Sequence, residues 1–317
     1  MLKKILPIGI AVILAGVVAG VNISSASKGN CNFEVSPDGT YYIVKGKAGI
    51  LTSKVTIPDE YNGKPVKEIA EEAFNTGWLF VAKEVVISKS ITKIGEYAFT
   101  GYGADALKIV RYEGDVADWC KITFGNNYGN PFFEENPLVF INGQIIRELI
   151  IPEEVTELND YAFASFDSIT SVEVPYSVTK TGKYVFWSCD TLKTAKVNAT
   201  TIGVGMFQGC NALETVIIED NVRTIANTAF WGANNLKSVV MSKGVTSVGD
   251  GAFLECDSLK AVYYEGTAND WKQISISTYK NYNSRLTNAK RYYYSEAQPT
   301  SSGNYWHYGW NGEVVVW

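Results

Sequence analysis

The chain repeats one pattern of apolar and polar positions, and a phenylalanine ends each copy. This phenylalanine lies five residues after an aliphatic residue, or once a threonine, and it usually follows an alanine directly. Seven pairs share the spacing: Ile69 and Phe74, Ile94 and Phe99, Leu158 and Phe163, Thr181 and Phe186, Ile202 and Phe207, Ile225 and Phe230, and Val248 and Phe253. Successive phenylalanines are 25, 64, 23, 21, 23 and 23 residues apart. A period near 23 residues with one long interruption indicates a solenoid, in which each unit buries its apolar face only by stacking on its neighbours.

The first half of each unit has the alternation of a β-strand. In the clearest copy, Leu236, Val239 and Met241 are expected to point inward, and the alternation at the end of the segment is typical of a strand. Equivalent strands are predicted to begin at Leu107, Ile146, Ile169, Leu192, Leu213 and Leu259, with a less regular one around Val85 to Ile87. One strand per unit predicts a repeat solenoid built around a parallel β ladder.

The ladder positions between the inward ones define a predicted binding surface, and most of them hold polar residues. They are expected to face solvent from neighbouring strands, whose packing depends on Leu, Val and Phe. This candidate binding face consists of Thr170, Ser171, Glu173, Lys193, Thr194, Lys196, Glu214, Thr215, Ile217, Lys237, Ser238 and Val240. Function is therefore expected on a long repeated surface rather than in a pocket.

The second half of each unit combines a small residue with the repeated phenylalanine. The phenylalanine is expected to fill the interior, and each buried ring stabilises the fold by about 1.5–3 kcal/mol. Cys189, Cys210 and Cys256 share the position three residues after it. Another unit has Ala233 there, and a position shared by Cys and Ala predicts a small buried site with free thiols. A Cys189–Cys210 bridge is the alternative, since neighbouring coils would bring these residues near disulfide distance.

One segment occurs twice at a constant offset of 152 residues. Residues 107–122 match residues 259–274, and each copy contains a Tyr-x-Gly sequence followed by Asp-Trp. We interpret each copy as a repeat with an insert, in which a short helix packs Trp119 or Trp271 back onto the solenoid. A helix cap explains the aspartate before each tryptophan better than acid–base catalysis. Exposed rings would instead offer stacking surfaces to a carbohydrate, and burial distinguishes the two interpretations.

The C-terminal region is dense in aromatic residues. Residues 305–310, an Asn-Gly turn and residues 313–317 predict a β-hairpin. Because a solenoid needs a cover on its last unit, we interpret this hairpin as a cap. The alternative is a carbohydrate site that includes Trp306 and Trp310.

The N-terminal sequence carries a secretory pattern. Lys3 and Lys4 precede an apolar run that ends at Val21, and small residues follow as far as Ala26. This predicts a signal peptide cleaved after Ala26, with an uncleaved membrane anchor as the alternative. The formal net charge is −5, and it becomes −7 when the two lysines leave with the signal. A mildly acidic chain is not expected to bind nucleic acid, and only its N-terminal segment is expected to contact a membrane.

The residue types that most enzymes need are scarce. His307 is the only histidine, which argues against a serine–histidine or cysteine–histidine nucleophile and against a histidine-rich metal site. The sequence has no phosphate-binding loop, dinucleotide fingerprint or HExxH motif. We therefore predict a protein without catalytic residues, cofactor or metal.

The unit has a consensus that resembles a known family. The pattern Ile-x-x-x-Ala-Phe-x-x-Cys-x-x-Leu-x-x-Val occurs as Val248 to Val262 and, in a degenerate copy, as Thr181 to Ala195. It is similar to the BspA-type leucine-rich repeats of bacterial surface proteins, and residues 33–63 resemble the N-terminal cap of that family. The resemblance implies a leucine-rich-repeat horseshoe with short convex segments. It also implies a secreted or surface-exposed protein that adheres to protein ligands, such as host matrix or other cell-surface proteins.

These patterns divide the chain into four regions. The predicted signal covers residues 1–26, the N-terminal cap 27–66, the solenoid 67–274 with an insert at about 113–145, and the second insert tail with the C-terminal aromatic cap 275–317. Thr181 in place of an aliphatic residue, and the spacing of 21 residues before Phe207, predict a bend or a tightening of the stack. No Leu-Pro-x-Thr-Gly sorting signal occurs, so the sequence indicates no mode of surface attachment.

Overall fold

A computed structural model describes residues 30–47, 53–75, 82–99, 107–132 and 137–317. The predicted signal peptide lies outside the described residues, and so do parts of the predicted N-terminal cap and of the first insert. Within the described ranges, no helix has the length and apolarity that crossing a membrane requires.

Short β-strands make up most of the regular structure. The strands of the N-terminal half are β1 (Cys31–Val35), β2 (Tyr42–Lys47), β3 (Lys54–Ile57), β4 (Glu60–Tyr61), β5 (Lys64–Ile69), β6 (Glu84–Ile87), β7 (Lys93–Ile94), β8 (Ile109–Tyr112), β9 (Thr123–Phe124), β10 (Leu138–Ile141) and β11 (Gln144–Ile145). Those of the C-terminal half are β12 (Glu148–Ile150), β13 (Glu157–Leu158), β14 (Ser171–Val174), β15 (Lys180–Thr181), β16 (Thr194–Val197), β17 (Thr201–Ile202), β18 (Thr215–Ile218), β19 (Thr224–Ile225), β20 (Ser238–Met241), β21 (Ser247–Val248), β22 (Ala261–Tyr264), β23 (Ser275–Ile276), β24 (Lys290–Tyr294), β25 (Tyr305–Tyr308) and β26 (Val314–Val316). The α-helices are α1 (Val116–Cys120), α2 (Ala268–Trp271) and α3 (Ser284–Asn288), and 3₁₀ turns cover Asn127–Gly129 and Tyr279–Asn281.

Each regular coil contributes one longer strand and one shorter strand to separate sheets. The longer strands form two sheets, which together we call the long-strand face. Their orders are β11-β10-β8-β6-β3 and β12-β14-β16-β18-β20-β22-β24-β25-β26. The pairs are parallel, except that β11 and β26 each pair antiparallel with the preceding strand. The predicted parallel ladder is present, but it is divided between β11 and β12.

The longer strands begin two residues later than the sequence pattern predicts. Leu236 is buried in the turn before β20, where its N–H donates to the carbonyl of Ala233 at 3.0 Å, and β20 begins at Ser238. The same shift applies to the strands predicted to begin at Leu107, Ile146, Ile169, Leu192, Leu213 and Leu259. The leucine or isoleucine that recurs at this point of each coil therefore belongs to the turn, and its burial does not require strand geometry.

The shorter strands form the second side, which we call the short-strand face. Their orders are β1-β2-β5-β7-β9 with β4 beside β5, then β13-β15, then β17-β19-β21-β23. The predicted tightening occurs between β15 and β17. The connection from longer to shorter strand has five residues (175–179) before β15 and three (198–200) before β17. Across this gap the hydroxyl of Thr181 donates to the carbonyl of Thr201 at 3.1 Å, so a side chain replaces strand pairing.

A column of stacked phenylalanine rings occupies the interior. Successive repeated rings from Phe163 to Phe253 have centroid distances of 5.4, 5.4, 5.5 and 5.1 Å. Each of these rings is 0 % exposed. In the N-terminal half, Phe74 and Phe99 stack at 5.4 Å. The predicted interior role of the repeated phenylalanine is confirmed.

The repeated cysteine position is buried beside this column. Cys189, Cys210 and Cys256 are fully buried and carry free thiols. Each Sγ–H donates to a phenylalanine carbonyl of the preceding coil, at 3.2, 3.0 and 3.2 Å respectively. Burial raises the pKa of the Cys256 thiol to about 12, which keeps it protonated. Free buried thiols are thus confirmed, and the alternative disulfide is not formed.

One position in each coil, and a second one in the five coils from Phe163 to Phe253, adopts a left-handed backbone conformation. The residue two before the repeated phenylalanine has a positive φ in every unit: Glu72 (54°), Tyr97 (53°), Tyr161 (60°), Tyr184 (58°), Gly205 (58°), Thr228 (55°) and Gly251 (60°). The residue two after it does so at Ser165, Ser188, Gly209, Gly232 and Glu255. Glycine reaches this region without strain, whereas a side chain crowds the following carbonyl. The return segment therefore holds local backbone strain, above all at the β-branched Thr228.

We expect Thr228→Gly to raise the free energy of unfolding by about 0.5–1 kcal/mol, because glycine relieves the left-handed strain. Thr246→Gly is the matched control, since Thr246 is exposed and has no positive φ. It should lower stability by about 0.5–1 kcal/mol through the flexibility that glycine adds to the unfolded chain. Urea melts of both variants measure the difference, and a loss of stability in Thr228→Gly would contradict the strain assignment.

Candidate functional site

The long-strand face of the C-terminal half presents its outward side chains in columns. Parallel pairing places equivalent residues beside one another, at about 4.8 Å from strand to strand. One column consists of Ser171, Thr194, Thr215 and Ser238, and the next outward column consists of Glu173, Lys196, Ile217, Val240, Tyr263 and Tyr292. Buried residues such as Val216 alternate with them and form the inner side of the sheet. We call these six residues from Glu173 to Tyr292 the outer column.

The remaining residues of the candidate binding face form a third column just before the strands. It contains Thr170, Lys193, Glu214 and Lys237, and each N–H after the first donates to the carbonyl of the preceding member at 2.8 Å. The structure therefore brings the predicted residues together on one surface. Val240 was predicted to face solvent, but it is only 4 % exposed. The large side chains of Ile217 and Tyr263 flank Val240 in the outer column and shield it from solvent. The alternation of apolar and polar residues in the sequence does not reveal this shielding.

The charges on this face are paired from coil to coil. Lys196 Nζ lies 2.7 Å from Glu173 Oε1 and 3.4 Å from Glu219 Oε1. Lys237 Nζ lies 2.7 Å from Glu214 Oε2. Burial by itself would lower the pKa of Lys196, but its two glutamate partners outweigh this effect and raise it. The hydrogen bond from Lys237 lowers the pKa of Glu214. The face therefore offers many hydrogen-bonding groups whose charges largely compensate one another.

Aromatic rings occupy the C-terminal end of the same face. Tyr263 and Tyr292 continue the outer column, and their rings stack with a centroid distance of 5.1 Å. Trp306 meets the rings of Tyr263, Tyr294 and Tyr308 edge-on at 5.8, 5.4 and 4.8 Å. The face thus changes along its length from hydroxyl groups and paired charges to an aromatic cluster.

Sequence reasoning did not place these tyrosines in the site. Tyr263 has the same strand position as Lys196 and Ile217, so an alignment of the coils gives a signal for it. The hydroxyl of Tyr308 donates to Glu265 Oε1 at 2.6 Å. Burial and this hydrogen bond raise the pKa of Tyr308, so its hydroxyl remains a donor. No repeat pattern indicates this contact, because Tyr308 belongs to the C-terminal hairpin.

Three of the four tryptophans considered as carbohydrate-stacking surfaces are buried. Trp119 and Trp306 are 0 % exposed and Trp271 is 8 % exposed, whereas Trp310 is 87 % exposed. Trp119 Nε1 donates to a backbone carbonyl of the next coil at 2.7 Å, and Trp306 Nε1 donates to one of β22 at 3.1 Å. The carbohydrate interpretation of the three buried residues is wrong, because protein atoms surround rings that a sugar would have to reach.

The two matching segments are enlarged coils rather than inserts between coils. In each, ten residues (113–122 or 265–274) connect the longer strand to the shorter one, where a regular coil uses five (242–246). The helices α1 and α2 lie in these connections. The first enlarged coil continues both faces, since β8 pairs with β6 and β9 pairs with β7. The interpretation of residues 113–145 as an insert is therefore corrected for the part that contains α1 and β9.

The aspartates before the two helical tryptophans stabilise the helices without being their N-caps. The N-caps are Asp115 and Thr267, whose side chains accept from the backbone N–H of Asp118 and Asp270. The Asp270 carboxylate in turn accepts from the backbone N–H of Thr267, which completes a capping box. These carboxylates thus act locally. Among the described residues, no group of three His, Cys, Asp or Glu side chains is arranged to hold a metal ion.

Comparison with known proteins finds the same repeat. The family model described as BspA type leucine rich repeat region matches residues 51–128 and 136–260, in six copies. Similar solved structures include a leucine rich cell surface protein from Faecalibacterium prausnitzii A2-165, which is 17 % identical, with 78 % of this chain and 97 % of that chain covered and a TM-score of 0.42. A leucine-rich repeat protein from Bacteroides ovatus ATCC 8483 is 17 % identical, with 83 % and 70 % covered and a TM-score of 0.46. The T. pallidum leucine rich repeat protein is 22 % identical, with 73 % and 88 % covered and a TM-score of 0.40. No curated protein matches the sequence.

Proposed function

We propose that this chain, which belongs to the BspA-type leucine-rich-repeat family, is a secreted or surface-exposed adhesion protein that binds a protein ligand through its long-strand face. Proteins of this family serve as scaffolds for protein–protein interaction and are typically found at the cell surface or outside the cell. The host matrix and other cell surfaces are the proposed sources of the ligand. Burial of Trp119, Trp271 and Trp306 leaves the carbohydrate alternative with Trp310 as the single exposed ring among its four candidate tryptophans.

The observation that carries the proposal is the set of columns on the long-strand face. Repeated hydroxyl groups and compensated charges can form hydrogen bonds along an extended partner without repelling either sign of charge. The tyrosines at the C-terminal end supply the aromatic contact area that often dominates binding energy at interfaces. The strands of the long-strand face are held in place by interior packing. Its outward side chains can therefore be substituted without loss of the core.

The test is a binding screen of the exported chain, which is residues 27–317 without the predicted signal peptide, against matrix proteins and bacterial surface preparations. The informative variant replaces Lys193, Lys196, Glu214 and Lys237 together by alanine. We expect its association rate with the captured protein to fall on the order of tenfold, because charges at an interface mainly steer encounter. The deficit should shrink at high salt, since salt screens these charges. Biolayer interferometry at two salt concentrations measures both effects.

A second quadruple variant controls for the change in charge. Lys93, Glu157, Lys180 and Lys183 lie in or next to the shorter strands and are exposed. Their replacement by alanine removes the same charges from the short-strand face and should leave the rate unchanged. The proposal fails if no protein binds saturably or if both quadruple variants lose binding equally. Normal binding by the first variant together with loss of binding in Trp310→Ala would move the site to the C-terminal hairpin.

A further inference from the structure

The nine-stranded sheet ends at β26, and the hydrogen bonds of the hairpin fix which groups of this strand face outward. β26 pairs with β25 in antiparallel register. The N–H of Trp317 donates to the carbonyl of Tyr305 at 3.1 Å, and the N–H of Gly309 donates to the carbonyl of Glu313 at 2.8 Å. Bonded and non-bonded residue pairs alternate along an antiparallel ladder. The bonded pairs of the hairpin therefore contain the odd-numbered residues.

Val314 and Val316 occupy the non-bonded pairs, opposite Tyr308 and Trp306. Their N–H and C=O groups consequently point away from β25 and towards the open side of the sheet. Within the described part of the chain, no hydrogen bond joins these outward groups to another residue. The C-terminal end of the long-strand face therefore presents a short edge with donors and acceptors available for pairing.

The N-terminal end of the same face is covered by a side chain. β3 is the first strand of its sheet. Asn30 Nδ2 donates to the carbonyl of Lys54 at 2.8 Å, and Asn30 Oδ1 accepts from the N–H of Thr56 at 3.1 Å. The amide thus takes the place that a neighbouring strand would occupy. This protection at one end makes the exposed edge at the other a specific feature.

β26 also lacks the devices that usually prevent edge pairing. Edge strands are commonly protected by charged side chains, proline or a bulge. β26 consists of three valines and pairs with β25 without a register shift. Val316 is 46 % exposed, although it is apolar. Valine strongly favours extended backbone, so the strand is preformed for addition of another.

We propose that β26 pairs antiparallel with β26 of a second copy of this chain. In a symmetric pairing centred on Val315, Val314 of one copy lies opposite Val316 of the other. These are the residues whose backbone groups point outward, so each such pair can exchange both N–H···O hydrogen bonds. All the side chains at the contact are valines, and no like charges meet. The edge is complementary to itself, which favours a second copy over an unrelated strand.

Such a dimer would join two nine-stranded sheets into one continuous sheet. The two-fold axis would stand perpendicular to the sheet, so both long-strand faces would point to the same side. Two candidate binding faces side by side would engage a partner surface that carries many copies of a ligand with higher avidity than one face. The pairing itself does not depend on the identity of that ligand.

Replacement of Val316 by proline tests the pairing. Val316→Pro removes an outward N–H but no hydrogen bond of the hairpin, and edge strands accept proline where the N–H faces solvent. Val316→Thr keeps the N–H and the β-branched shape and is the matched control. In sedimentation velocity, the exported chain and Val316→Thr are expected to double in mass as concentration rises, whereas Val316→Pro should stay monomeric. Far-UV circular dichroism checks that each variant is folded.

Cysteine substitution tests the register independently of proline. Val315 of each copy would meet in a non-bonded pair, whose Cα separation of about 4.5 Å suits a disulfide. Val315→Cys should therefore form a covalent dimer under mild oxidation, and Val314→Cys should do so far less, because its partner position remains valine. The native cysteines in the described residues are all buried and should not compete. A wild-type chain that stays monomeric at every concentration would overturn the proposal, and so would a folded Val316→Pro variant that still dimerises.

Discussion

Phe230→Ala is expected to lower the free energy of unfolding by about 3–5 kcal/mol. The Phe230 ring is 0 % exposed, and the rings of Phe207 and Phe253 stack on its two sides at 5.5 and 5.1 Å. Strand pairing fixes the distance between coils, so the neighbouring rings cannot close the cavity left by the substitution. The cost therefore combines the lost burial with the cavity, and urea melts followed by circular dichroism measure it.

Lys237→Ala in the same coil is the control, and its effect should stay within about 0.5 kcal/mol. Lys237 is exposed, and its ion pair with Glu214 lies in solvent. Exposed ion pairs contribute little because water and salt screen them. Equal losses in the two variants would mean that the interior and the outward face had been assigned the wrong way round.

Trp119→Ala is expected to cost a similar amount, about 3–5 kcal/mol. The indole stacks on Phe132 at 4.8 Å and meets Tyr112 edge-on at 5.0 Å. Its Nε1 also donates to the carbonyl of Ala162, which would be left buried without this donor. Trp119 precedes the division between β11 and β12, and Ala162 follows it. The variant should therefore also make the junction between the two long-strand sheets more susceptible to limited proteolysis.

Trp310→Ala is the matched control for the loss of an indole. Trp310 is 87 % exposed, so its removal leaves no cavity, and we expect a change within about 0.5 kcal/mol. Melts and proteolysis of the two variants should be compared at one protein concentration. A Trp119→Ala variant as stable and as resistant as Trp310→Ala would show that the junction does not depend on the buried ring.

The parts of the fold that follow from burial could be predicted from the sequence. The repeated phenylalanines, the small Cys or Ala position and the parallel ladder all result from apolar residues that recur with the coil. The hairpin at residues 305–317 was predictable from its Asn-Gly turn. The tightening near Thr181 was also predictable, since a coil with two fewer residues has to shorten one of its connections.

Features that depend on backbone conformation were not predictable from the same pattern. The left-handed position holds Glu, Tyr, Thr or Gly, so residue type gives no consistent signal for a positive φ. Leu236 is equally buried in a turn or a strand, and its apolar character could not fix the start of β20. The division between β11 and β12 reflects hydrogen bonding between coils, which composition does not encode.

The candidate site was predictable as a surface but not in its detail. Alternation placed the predicted residues on one face, because strand geometry alone decides the side to which a residue points. It could not show that Val240 is shielded by its column neighbours. Nor could it show that Tyr308, from the C-terminal hairpin, reaches Glu265, since that contact joins segments outside the repeat.

The constant hydrogen-bond register between coils has a consequence for the gene. Lys237 N–H bonds to the carbonyl of Glu214, and Glu214 N–H bonds to that of Lys193, both at 2.8 Å. If residues 214–236 were lost, the N–H of Lys237 could donate to the carbonyl of Lys193 in the same way. The ring of Phe253 would then stack on that of Phe207 in the interior. Unequal recombination between repeats can therefore lengthen or shorten this protein by whole coils. Each step changes its reach by about 4.8 Å while the interior stays closed.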